Sequence, residues 1–215
     1  SHGFQPFDWP YGAWDYYDDI RQRPMRADIV LTSLVIDALH AAGVPTSAPV
    51  MRNALTYIQR CQNWMDDPDQ LTEDDDGGFF FTPREGKAGE KEVAGGRNLR
   101  FMSYGSVTLD GIRSLLLLGE AQDSPRVKAA RNWVANNYDL QVVPGFPPRA
   151  IVDFAHGLRY YYYMSMAKTM QVVDDPVRTS EGAEIQWSGD LAAHVARLQR
   201  ADGSWANGVS VMNED

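Results

Sequence analysis

The chain has 215 residues, 44% hydrophobic and 23% charged, enough apolar material for one or two globular domains with a real core. A net charge of −9 with no basic stripe argues against a nucleic acid partner and against a surface drawn to anionic lipid. One cysteine, Cys61, excludes an internal disulfide and a multi-cysteine metal site, and no apolar run is long enough to span a bilayer, so the chain is expected not to be transmembrane.

Residues 1–25 are dense in aromatics, with Phe4, Phe7, Trp9, Tyr11, Trp14, Tyr16 and Tyr17. Disordered tails are aromatic-poor, so an ordered loop is expected here. The span 28–42 is apolar almost all round, as in a helix buried on most sides, and Gly43 and Pro45 stop it. The span 48–63 instead carries one apolar stripe through Val50, Ala54, Tyr57, Ile58 and Cys61, the pattern of a surface helix. An acidic loop follows at 66–76 and ends in Gly77-Gly78-Phe79; a solvated loop is favoured over a calcium site. The Gly- and charge-rich span 87–100 reads as a flexible connection. A second all-round apolar helix is predicted at 104–118 and a second amphipathic one at 125–138. The third of each kind is expected at 153–172 and 189–200.

The register supports a repeat. Gly43 and Gly119, Pro49 and Pro125, and Ala54 and Ala130 are each 76 positions apart. The aromatic closers Trp14, Phe79, Phe146 and Trp205 follow one another at 65, 67 and 59 positions. Buried helix, amphipathic helix and Gly-x-aromatic turn thus recur three times. The physical expectation is an all-α protein, with apolar helices sandwiched inside and amphipathic helices covering them.

The segment QRADGSW at 199–205 fits Q-x-x-x-G-x-W and resembles the QW motif of squalene–hopene cyclases. Gly77-Gly78-Phe79 is similar to the closers of protein prenyltransferase β subunits. SYGSVTLDGIRSLLLLG, SPRVKAARNWVANNYDL and GLRYYYYMSMAKTM resemble bacterial prenyltransferase/squalene-oxidase repeat proteins. The resemblance runs from about Gly12 to Trp205 and implies an α/α toroid, or a partial one, with inner helices around a central cavity. It assigns residues 26–215 to three inner–outer helix pairs. It also makes Gln199, Gly203 and Trp205 structural: the Gln amide bonds free backbone groups at a neighbouring helix end, and the indole packs on the join between units.

The catalytic signatures of that superfamily do not occur here. There is no D-x-D-D and no D-D-x-x-D, and Cys61 lacks the D-x-C spacing of a zinc site because position 59 is Gln, so no metal or other cofactor is expected. Asp153 and His156 are i, i+3 at the start of the third inner helix, where a carboxylate could orient an imidazole for acid–base work or simply cap the helix. Asp28, Tyr104 and Tyr160 also stand at or near inner-helix starts and are the candidate ligand contacts, with capping and core filling as the alternative readings. If a polar site exists, it is expected where these five residues converge.

Two function classes stay open. One is an enzyme of the isoprenoid cyclase or prenyltransferase type. The other is a non-catalytic module that binds a lipophilic small molecule or another protein. Three helix pairs would make an arc rather than a ring, leaving apolar helix surface in water. A second copy, another subunit or the remainder of a longer chain is expected to cover it.

Overall fold

The computed structural model describes residues 4–16, 26–91, 100–148 and 152–209. Among them are the helices α1 (Ile29–Ala41), α2 (Pro49–Arg60), α3 (Gly105–Leu117), α4 (Pro125–Asn136), α5 (Phe154–Gly157), α6 (Arg159–Met170) and α7 (Trp187–Leu198). Two short strands, β1 (Glu90–Lys91) and β2 (Arg100–Phe101), pair antiparallel, with Glu90 opposite Phe101. The protein is therefore mainly helical, and no helix is long and apolar enough to cross a membrane.

Local chemistry sets the helix ends. Asp28 caps α1 by accepting the Leu31 N–H at 2.8 Å. α2 and α4 both begin on a proline, Pro49 and Pro125, whose missing N–H costs nothing in the first turn. α1 and α3 end alike: Gly43 and Gly119 take positive φ, and the next N–H reaches back to Leu39 O (3.0 Å) and Leu115 O (2.9 Å).

α3 is the centre of the packing. It touches α1, α2, α4 and α6, and every residue from 105 to 115 is buried. The extended segment 79–81 ties two helix starts together, since Ile29 N donates to Phe81 O and Tyr104 N to Phe79 O. Residues 143–146 do the same for the next pair, with Val143 N on Ala155 O and Gly105 N on Pro144 O. At the far ends, Arg113 of α3 meets Asp37 of α1 and Thr169 of α6. Starts lie with starts and ends with ends, so α1, α3 and α6 run in the same direction. Gly111 lets Phe79 approach α3, for a Cβ there would fall 2.6 Å from three ring carbons.

Several expectations change. The helix expected over 153–172 is broken at Leu158. The reason is tertiary: the His156 carbonyl is taken by Asn207 Nδ2 (2.9 Å) and Arg159 Nε (3.2 Å) instead of a ladder N–H, and Gly157 gives the helix little help. The last helix begins earlier, at Trp187. The acidic loop is not merely solvated. Its Asp66, Asp75 and Asp76 pair with Arg126, Arg100 and Lys91 at 2.8–2.9 Å, stapling the loop to α4 and to the hairpin. The hairpin also gives the expected flexible connection a structured beginning and end, while 92–99 lie outside the described residues. Residues 4–16 of the N-terminal loop are anchored as expected, through Tyr11 Oη on Asn53 Oδ1 (2.8 Å) and Trp14 N on Thr32 Oγ1 (3.2 Å); 17–25 lie outside the described residues. Of the two apolar helices expected to leave surface in water, α1 does so and α3 is buried over 105–115: Leu34 is 38% exposed, with Leu31 and Val35 half-buried beside it.

Candidate functional site

The starts of α1, α3 and α5 meet at one end of the molecule. Asp28 is buried, and its burial pushes the carboxyl up while the Leu31 N–H and the Lys87 ammonium pull it back. Tyr104 precedes α3 and is 1% exposed; its ring lies on Phe146, with centroids 4.7 Å apart. Phe146 in turn lies 5.6 Å from Phe154, the first residue of α5. Lys87 is the group that joins the two sides. Its Nζ sits 3.8 Å from the Phe81 ring centroid and 5.8 Å from that of Phe154. Burial pushes this amine below its ordinary range, against the pull of Asp28 and Glu85. Among the described residues the ammonium makes no hydrogen bond and no ion pair, and it lies against two aromatic rings.

The remaining expected residues are placed differently. Asp153 accepts the His156 N–H (3.1 Å) and its Oδ2 lies 2.9 Å from His156 Nδ1. That hydrogen bond holds the Asp153 carboxyl below the usual range. The pair is oriented for proton transfer, yet both side chains are about half exposed and α5 is a single turn. Tyr160 turns away from Tyr104: its ring meets Tyr163 edge-on at 5.9 Å and its hydroxyl points at Ala206 O (3.4 Å). Asp28 and Tyr104 thus share a site with the start of α5, whereas Tyr160 does not.

The C-terminal motif is local. Gln199 Nε2 donates to Gly203 O at 2.8 Å within its own turn, not to a neighbouring helix end. Trp205 is 39% exposed, held by Nε1 on Val195 O at 2.8 Å, so the buried indole expected here is corrected. The role expected of Gln199 falls to Gln62, whose Nε2 bonds Gly77 O (3.0 Å) and Arg126 O (2.9 Å) at the start of α4.

Two polar clusters were not singled out in the sequence. The first is a buried network between α1, α3 and α6. Arg113 contacts Asp110 and Asp37 at 2.9 Å each and Thr169 at 3.2 Å; Tyr161 Oη donates to Asp110 at 2.6 Å, and Lys168 meets Asp37 at 3.1 Å. A signal existed, because Asp110 and Arg113 are charges i, i+3 in an otherwise apolar helix. The second is His194 on α7, which lines a pocket of about 340 Å³ with Tyr138, Gln141, Asp190 and Arg197. Tyr163 Oη donates to Leu140 O (2.7 Å) and so accepts from His194 Nε2 (2.9 Å), which leaves Nδ1 as an acceptor, 3.5 Å from Gln141 Nε2. Nothing in the sequence pattern marks Lys87, whose position depends on the turn at 82–89.

Comparison with protein-family models, curated proteins and solved structures finds no match to this chain.

Proposed function

We propose that the chain is a helical-hairpin module of the terpenoid cyclase/prenyltransferase type, arranged as a partial α/α toroid, that binds a lipophilic, isoprenoid-type ligand without transforming it. The observation that carries this reading is the Lys87 ammonium, unpaired among the described residues, in its cup of Phe81 and Phe154, beside the buried Asp28, where α1, α3 and α5 begin. Such a site offers apolar rings to a hydrocarbon body and an ammonium group to a polar head. The common direction of α1, α3 and α6, and the matching ties made by 79–81 and 143–146, support the hairpin arrangement. The lack of D-x-D-D and D-D-x-x-D in these 215 residues supports binding without turnover.

The test is titration of the full chain with farnesyl diphosphate and with farnesol, read by tryptophan fluorescence and native mass spectrometry. One-to-one binding, weakened at least about tenfold by Phe154→Ala and, for the diphosphate, by Lys87→Met, is expected. No binding of either ligand overturns the reading, and a new product by gas chromatography overturns its non-catalytic part. A second reading, a protein-interaction module, is favoured by the exposed α1 face of Leu31, Leu34 and Val35. Its sign would be self-association or partner capture abolished by Leu34→Glu.

A further inference from the structure

Behind the segment 79–81, on the side where Phe80 rather than Phe81 projects, lies a pocket of about 390 Å³. Its apolar wall is Trp64, Met65, Phe80, Pro83 and Phe101, with the Phe80 and Phe101 rings 5.4 Å apart. Among the described residues its charged lining consists of two arginines, Arg60 and Arg100, with no carboxylate. Arg100 is compensated by Asp75, whose buried side chain lies 2.9 Å from Nη1. Arg60 is not. Its guanidinium donates to two backbone carbonyls, Asp8 O at 2.8 Å and Pro6 O, and among the described residues no carboxylate pairs with it. In a chain of net charge −9, an arginine fixed in place yet without a counter-charge at the mouth of an aromatic pocket is unusual. The two carbonyls orient the guanidinium without neutralising it, and among the described residues its remaining N–H groups have no acceptor.

We propose that this pocket is a second binding site, for an amphipathic organic anion: an apolar, preferably aromatic, body against Trp64, Phe80 and Phe101, and an acidic head at Arg60, with Arg100 adding field. A neutral molecule of the same shape gains the ring contacts alone. An anion also gains a charge-assisted hydrogen bond, which is short and about twice as strong as a neutral one. The site does not depend on the Lys87 cup, because the two use neighbouring rings on opposite sides of one segment.

The experiment compares two probes with one ring skeleton on the full chain: anilinonaphthalene sulfonate, and N-phenyl-1-naphthylamine, which lacks the sulfonate. The sulfonate is expected to bind at least about tenfold more tightly. Arg60→Gln should remove most of that preference and Arg60→Lys should restore part of it. Met65→Glu, at a half-buried wall position that touches none of the anchoring bonds, should abolish sulfonate binding while leaving thermal unfolding unchanged, so the site stays testable even if Arg60→Gln loosens the N-terminal loop. Lys87→Met should leave both probes unaffected, which separates this site from the one at the helix starts. Equal affinity for the two probes, or a preference that survives both Arg60→Gln and Met65→Glu, would overturn the proposal, as would loss of sulfonate binding on Lys87→Met.

Discussion

Replacing Arg113 by Met strips the network of its buried cation, leaving the half-exposed Lys168, while keeping the length of the side chain. Asp110 is fully buried, and in the native fold burial pushes its carboxyl up while Arg113 draws it back. The variant leaves that carboxylate with the Tyr161 hydroxyl at 2.6 Å as its strong remaining partner. Asp37 is less affected, because it keeps Lys168 and is partly open to water. Removing one member of a buried ion pair costs about 3–5 kcal/mol, since the survivor stays desolvated. For a chain of this size each kcal/mol lowers Tm by about 2–4 °C, so a fall of about 6–20 °C is expected. The second arm is the double variant Asp110→Asn, Arg113→Met. The amide carries no charge and still accepts from Tyr161, so the double variant should be at least about 1 kcal/mol more stable than Arg113→Met alone. The pH dependence has a definite sign. With its cation gone, Asp110 in the fold titrates above its unfolded value, so the penalty is complete above that raised pKa and shrinks as pH falls through it. Urea unfolding followed by helical circular dichroism at pH 7 and pH 5 gives all four numbers. A loss below about 1 kcal/mol for Arg113→Met, or a double variant no more stable than the single, would show that Asp110 is already neutral or solvated, and the account of the core would fail.

Gly111→Ala should cost about 1–3 kcal/mol by overpacking against Phe79, and Phe79→Leu in the same chain should recover part of it; additive losses in thermal unfolding would mean that the two do not touch. Trp205→Ala should cost only about 0.5–1.5 kcal/mol, the worth of one hydrogen bond to Val195 O, because the ring is already 39% in water; a loss of 3 kcal/mol or more would place the indole in a core. His194 should make α7 acid-sensitive. Burial, then Arg197 and Arg159, hold its imidazole below the ordinary range against Asp139, so the stability it confers is present above the unfolded value and is lost as pH falls through the folded one. His194→Gln should therefore flatten the fall in urea midpoint between pH 7 and pH 5, and an unchanged slope would refute this.

Much of the helical scaffold was legible in the sequence because its causes are local. All-round apolar runs marked α1 and α3, helical periodicity marked α2 and α4, the glycines 76 apart ended α1 and α3, and Asp28 capped α1 as a residue before an apolar run should. The stripe that held Cys61 predicted its burial for the same reason, and burial pushes that thiol up. What depends on residues far apart in the chain was not legible. Gln62 and Gln199 occupy like places after amphipathic helices, yet Gln62 has Arg126 of α4 beside it whereas Gln199 reaches only its own turn. The break at Leu158 is decided by Asn207, some fifty residues away. At the candidate site the sequence marked Asp28 and Tyr104, because helix starts carry local signals. It had no means of marking Lys87 or Arg60 as cations without a carboxylate partner among the described residues, since pairing is decided only when folding fixes which carboxylates come within reach.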